Sequence, residues 1–262
     1  MRRISRPHIR RQSCARESGP GFLGDDSFRK REVQGFRRGR KTQGGAVCPA
    51  RRVRQGGRAN TFAIMTGIIL AGGTGSRMGG KDKALLLFSG ETFLRRKIRL
   101  LSAFCESLLV VAAAAAAGAA FENLDVPVIR DEAPGIGPLM GLYTGLKHSE
   151  TDINFVTTVD SPFISGELAA KLRQQAAGFD VFIPMWTGYP EPLFGVYRKT
   201  CLPAIERVLS ENRRRIVSFY PHITVGYLPE EEVRRFDPQG LSFINVNTEE
   251  EYRSLTENNG PA

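Results

Sequence analysis

Between Thr66 and Lys83 an apolar run turns, without a spacer, into a loop holding five glycines and three cations. Thr66 to Ala71 is short, continuous and apolar, which reads as a buried strand. The loop that follows is Gly72-Gly-Thr-Gly-Ser-Arg-Met-Gly-Gly-Lys-Asp-Lys83. Glycines at 72, 73, 75, 79 and 80 permit positive φ and close backbone approach to a ligand. Successive backbone N–H groups in such a turn make an anion-binding hollow. Arg77, Lys81 and Lys83 add positive charge, so a triphosphate is the natural guest.

Two familiar phosphate loops are excluded by single positions. Gly75 to Lys81 fits the GxxxxGK spacing, but Asp82 stands where a hydroxyl would ligate Mg²⁺. Met78 occupies the place of the third glycine of a dinucleotide fingerprint.

Strand and helix patterns alternate beyond the loop. Thr92 to Phe104 has helical apolar spacing, with Arg and Lys assigned to the opposite face. Strands are expected at Ser107 to Ala112, Val126 to Arg130, Ile153 to Val159, Val181 to Ile183, Leu193 to Tyr197, Ile223 to Leu228 and Phe243 to Val246. Helices are expected at Pro138 to His148, Ser165 to Ala176, Leu202 to Leu209, Arg213 to Phe219 and from Thr248 onward, where Thr248 is the N-cap. The alanine run Ala112 to Ala117 reads as a strand end passing into a helix. This order predicts an α/β fold in three layers, a mostly parallel twisted sheet with helices on both faces. Ligands of such sheets bind outside the carboxyl ends of the strands. Asp160 sits at one such end, after Phe155 to Val159 and before Ser161-Pro162. A carboxylate there, facing a triphosphate loop, is placed to hold Mg²⁺; the competing role is a turn aspartate before proline.

Charge divides the chain. The net charge is +10, yet residues 1 to 64 hold 17 Lys and Arg against 4 Asp and Glu, which leaves 20 against 23 in the rest. The body from Met65 is slightly acidic, so the positive total is no sign of nucleic-acid binding by the body. Residues 1 to 64 have few aliphatics and no periodicity, and disorder is expected. Three readings of them stand open: a transit peptide, a basic arm, or sequence upstream of a true start at Met65. The last is favoured because Met65 immediately precedes the first strand. The expected division is therefore 1–64 as an extension and 65–262 as the functional domain. No apolar run is long enough to span a bilayer. Cys14, Cys48, Cys105 and Cys201 have no zinc spacing, and reduced thiols in a cytoplasmic protein are expected.

Leu70-Ala-Gly-Gly73 and Arg77-Met-Gly-Gly-Lys-Asp-Lys83 resemble the signature of the molybdenum cofactor guanylyltransferases. Gly137 to Gly141, Val159 to Phe163, Pro192 to Tyr197 and Phe243 to Thr248 resemble later blocks of the same family. The resemblance implies a nucleotide-diphospho-sugar-transferase-like, Rossmann-like fold. It implies that Leu70, Ala71, Gly72 and Gly73 line a GTP site and that Lys83 contacts phosphate or base. Asp160 would hold Mg²⁺, Asp131 would lie near the nucleotide, and Asn245 and Asn247 would face the pterin. For Asn245 and Asn247, capping of the last helix is the equal alternative. Gly72-Gly73 favours guanine over cytosine. One departure is that Val110 to Ala117 offers no polar side chain where family members often place an asparagine for guanosine. Arg213-Arg214-Arg215 is either a solvated face or a contact for the pterin phosphate.

The implied reaction is GMP transfer from GTP to Mo-molybdopterin, with Mg²⁺ as cofactor, Asp160, Lys83 and Arg77 as working residues, and pyrophosphate released. The implied partners are GTP, the molybdenum cofactor, cofactor-delivery proteins and apo-molybdoenzymes, with no nucleic acid and no membrane. The alternatives are cytidylyl transfer to the same cofactor, nucleotidyl transfer to a sugar phosphate, and a non-catalytic carrier of the cofactor.

Overall fold

The computed structural model describes residues 64–72, 82–113, 121, 124–133 and 135–258. The extension 1–63, most of the glycine loop with Gly73 and Arg77, and the alanine run 114–117 lie outside the described residues.

The chain begins with β1 (Met65–Ala71), a small hairpin of β2 (Leu87–Phe88) and β3 (Glu91–Thr92), and α1 (Phe93–Leu101). Then come β4 (Ser107–Ala112), β5 (Val128–Arg130), α2 (Pro138–His148), β6 (Ile153–Thr158) and α3 (Gly166–Gln175). The rest is β7 (Val181–Trp186), β8 (Tyr189–Pro190), β9 (Phe194–Arg198), α4 (Leu202–Ser210), β10 (Val225–Leu228), α5 (Glu230–Phe236) and α6 (Glu249–Asn258). The main sheet runs β10-β7-β9-β6-β1-β4-β5, with β8 folded back on β7. Pairs β1/β4, β1/β6, β4/β5 and β7/β10 are parallel; β9 runs against its neighbours β6 and β7, and the short β8 against β7. The expected mostly parallel sheet is therefore observed. Among the described residues no helix is long and apolar enough to cross a membrane.

Period-two alternation sends successive β1 side chains into two cores. Met65, Ile69 and Ala71 join α1, α3, α5 and α6 on one side. Ile68 and Leu70 join α2 and α4 on the other. Glycine allows α2 to lie close on the sheet. A Cβ at Gly145 would stand 2.6 Å from Ile68 Cγ2 and 3.3 Å from Val111 Cγ2. At its start, Gly137 adopts φ 107° and ψ −173°, and Pro138 opens the helix.

Three local expectations are corrected. Phe243 to Val246 is not a strand: a short 3-10 turn spans Leu241–Phe243, nucleated by Gly240 at φ 66°, and the chain then runs extended without a sheet partner. A Cβ at Gly240 would collide with the Trp186 ring, so ring and glycine fix that turn together. The α-helix expected from Arg213 is a 3-10 segment, Ile216–His222, with Pro221 inside it. Third, α1 does not keep all its cations on the outer face. Lys97 falls four residues after Phe93 and four before Leu101, on the apolar stripe, and is fully buried. The helix α5 went unexpected despite its acidic first turn and basic last turn, and Arg234 pairs with Glu230 one turn away.

Gly145→Ala gains helix propensity worth up to about 1 kcal/mol. The clash with the branched, strand-held Ile68 outweighs it, and we expect a net loss of about 1–2 kcal/mol. Urea unfolding checks this; an unchanged or higher midpoint would contradict close packing of α2 on β1.

Candidate active site

Parallel pairing brings the ends of β1, β4, β5 and β6 to one edge. Ala71 aligns with Ala112 and Ala112 with Arg130, while Leu70 aligns with Thr158. Val159 N–H donates to Leu70 O at 3.0 Å and Asp131 N–H to Ala112 O at 2.8 Å, which carries the pairing past the strand ends. Gly72, Asp131 and Asp160 thus emerge along the same rim.

Lys83 returns to that rim just after the glycine loop. Asp82 directs it: its carboxylate accepts from Ala84 N–H at 2.9 Å and caps the 3-10 turn Lys83–Leu85. The residue that disqualifies a GxxxxGK loop thus has a structural task. Lys83 Nζ then donates to Asp160 Oδ2 at 3.1 Å and to Asn247 Oδ1 at 2.7 Å. The side chains of Lys83 and Asp160 are about a fifth to a quarter exposed, open enough for a ligand to enter.

Asn247 is held from behind. Thr248 Oγ1 accepts from Glu251 N–H at 3.2 Å, and Glu251 Oε2 accepts from the N–H groups of Asn247 at 2.6 Å and Thr248 at 3.0 Å. This is a capping box. The cap of α6 is therefore Thr248 with Glu251, and the Asn247 side chain is left for Lys83. Val246 N–H donates to Asp160 O at 2.9 Å, tying the same segment to the turn after β6.

The other expected residues stand apart from this contact. Leu70 and Ala71 are buried, so only their backbone can meet a ligand, whereas Gly72 is exposed. Asp131 Oδ1 accepts from Ala133 N–H at 3.3 Å and Thr144 Oγ1 at 3.4 Å, and burial raises its carboxyl pKa. Asn245 is exposed and makes no hydrogen bond among the described residues. In the arginine run, Arg213 pairs with Glu211 at 3.6 Å and Arg214 donates to Asn212 Oδ1 at 3.2 Å, while the side chains stay exposed.

Lys97 is the functional candidate that sequence patterning missed. Its Nζ donates to Thr157 Oγ1 and Ser161 Oγ, each at a long 3.5 Å. Burial drives its pKa down to about 7, opposed by the field of Asp160 and assisted by Arg96. The available signal was a lysine at a stripe position between Phe93 and Leu101.

The donor set suits a hard cation. Asp160 and Asn247 present oxygens to one point, which the Lys83 ammonium fills. Among the described residues no three His, Cys, Asp or Glu side chains gather as a metal cage. Mg²⁺ needs no such cage: it commonly takes one or two carboxylates and fills its shell with water and substrate phosphates.

The rim where β1 and β6 end carries Lys83 and Asp160 side by side, and the chain that builds it matches a nucleotidyltransferase domain. Residues 67–223 match the MobA-like NTP transferase domain, and the chain belongs to that family. It is 36% identical over 186 residues to a probable molybdenum cofactor guanylyltransferase of Pelotomaculum thermopropionicum, covering 70% of this chain and 87% of the relative. It is 31% identical to a molybdenum cofactor guanylyltransferase of Desulfosudis oleivorans, covering 71% and 92%. The solved molybdopterin-guanine dinucleotide biosynthesis protein A from Archaeoglobus fulgidus superimposes with a TM-score of 0.65 at 28% identity, over 74% of this chain and 97% of that one.

The buried amine gives a pH test. Between about 7 in the fold and 10.5 in the unfolded chain, the unfolded state binds the extra proton, so stability rises with pH. The rise is at most about 1.4 kcal/mol per pH unit. The buried thiols of Cys105 and Cys201, pushed up to about 12 from 9.0, oppose it at higher pH, so the window ends just below pH 9. From pH 7 to about 8.5 the urea midpoint should climb more steeply for the natural protein than for Lys97→Met; parallel profiles would contradict a depressed lysine.

Proposed function

We propose that the protein transfers GMP from GTP to the terminal phosphate of Mo-molybdopterin and releases pyrophosphate. The observation that carries this reading is the Lys83 ammonium bridging Asp160 and Asn247 immediately past the glycine loop. The family and the names of its curated members support it.

In the reaction an oxygen of the acceptor phosphate attacks the α-phosphorus of GTP. The bond to the β-phosphate bridging oxygen breaks, and its electrons leave with pyrophosphate. Such a transfer needs positioning and charge neutralisation more than a protein nucleophile. Backbone N–H groups from Gly72 through Arg77, with the side chains of Arg77 and Lys83, hold the triphosphate. Lys83 exchanges its carboxylate partner for phosphate oxygens. Asp160 would hold Mg²⁺, which would supply charge neutralisation at the phosphates when bound. Asp131, presented at the end of β5, serves the nucleoside side. Asn247 and Asn245 serve the acceptor side, with Asn247 oriented by the capping box behind it. GTP and the molybdenum cofactor are the substrates. The proposed setting is the cytoplasm, with delivery to apo-molybdoenzymes downstream.

Asp160→Ala removes the charge that would hold the metal and should lower pyrophosphate release from GTP and cofactor by roughly two to three orders of magnitude, with the melting temperature nearly kept. Lys83→Ala should raise the KM for GTP as well as lower kcat. A continuous pyrophosphate assay checks both. Full turnover by Asp160→Ala would refute its metal role.

A further inference from the structure

Lys97 is wholly buried, and so are its two hydroxyl partners, Thr157 and Ser161. Burying an amine against two long hydrogen bonds is costly, and nothing in the packing of α1 on the sheet requires one. An unbranched apolar side chain of similar length would fill the space. The partners show what the amine acts on. Thr157 lies in the last turn-ward stretch of β6 and Ser161 follows Asp160, so Lys97 grips the chain on both sides of the proposed metal carboxylate.

The grip extends further. Ser161 Oγ accepts from Lys97, which leaves its own proton for Ser242 O at 2.9 Å. Ser242 Oγ in turn accepts from Ser165 N–H at 2.9 Å. Asp237 fixes the same turn by accepting from the N–H groups of Leu241 and Ser242, both at 2.9 Å. That turn leads directly to Val246, whose N–H reaches Asp160 O, and to Asn247. Lys97 therefore sits beneath the joint between the two segments that supply Asp160 and Asn247.

We propose that Lys97 is a positioning residue for the metal site: by holding Thr157 and Ser161, and Ser242 through Ser161, it sets the Asp160 carboxylate against Asn247 from below. The inference rests on the functional reading above, in which Asp160 binds the metal. A residue that orients a metal ligand without touching the metal typically changes metal affinity by roughly 10–100-fold when lost.

The test is binding of Mn²⁺, as the Mn²⁺·GTP complex, to the full chain, followed by electron paramagnetic resonance without any acceptor. Lys97→Met should melt no lower than the natural protein, because it exchanges a buried amine for an apolar side chain of similar length. It should nonetheless bind Mn²⁺ roughly 10–100-fold more weakly, and its Mg²⁺ half-saturation in turnover should rise in step. Lys97→Gln, which keeps N–H donors, should recover part of the affinity. A stable Lys97→Met with undiminished, Asp160-dependent Mn²⁺ binding would overturn the inference alone. Binding by the natural protein that is indifferent to Asp160→Ala would overturn the functional reading and this inference with it. Should Lys97→Met fail to fold, Ser161→Ala decides: weakened metal binding supports the link, and unchanged binding refutes it.

Discussion

One ammonium group closes the site. Lys83 lies 77 residues from Asp160 and 164 from Asn247, and its Nζ touches both. Each partner arrives by a different route: Lys83 on a capped 3-10 turn after the glycine loop, Asp160 on the turn beyond β6, and Asn247 on the extended chain before α6. A lysine can only donate, so the two oxygens that meet it are turned toward one positive point. The parallel sheet makes that geometry possible, because β1 and β6 end side by side and deliver their following residues to the same rim.

Much of this was legible in the sequence, for identifiable reasons. Buried parallel strands are continuous apolar runs, so β1, β4 and β6 stand out. Pro138 after Gly137 marks the start of α2, and Asp160 marks a strand's carboxyl end. What the Asn247 side chain meets was not legible: Thr248 and Glu251 together cap α6, and Asn247 Oδ1 accepts from Lys83 instead. The misread strand at Phe243 to Val246 has a similar cause: the residues are β-prone, but Trp186 packed on the left-handed Gly240 dictates a turn instead.

Lys97 shows the limit most sharply. Amphipathic patterning assigns a lysine to the solvent face by type, whereas helical geometry assigns it by position. Position wins here, because Phe93, Leu94 and Leu101 fix which side of α1 faces the sheet. The resulting buried amine costs stability close to the rim that carries Asp160. Polar groups that weaken a core commonly mark places where function outweighs stability.

The product of the reaction is the most direct measurement. With Mg²⁺ and Mo-molybdopterin, the protein is expected to convert radiolabelled GTP into a guanine dinucleotide form of the cofactor with one pyrophosphate per transfer, and to use CTP far less well. Equal or faster conversion of CTP would contradict the guanine assignment. Tight binding of the cofactor with no nucleotide incorporated from any triphosphate would contradict the transfer itself.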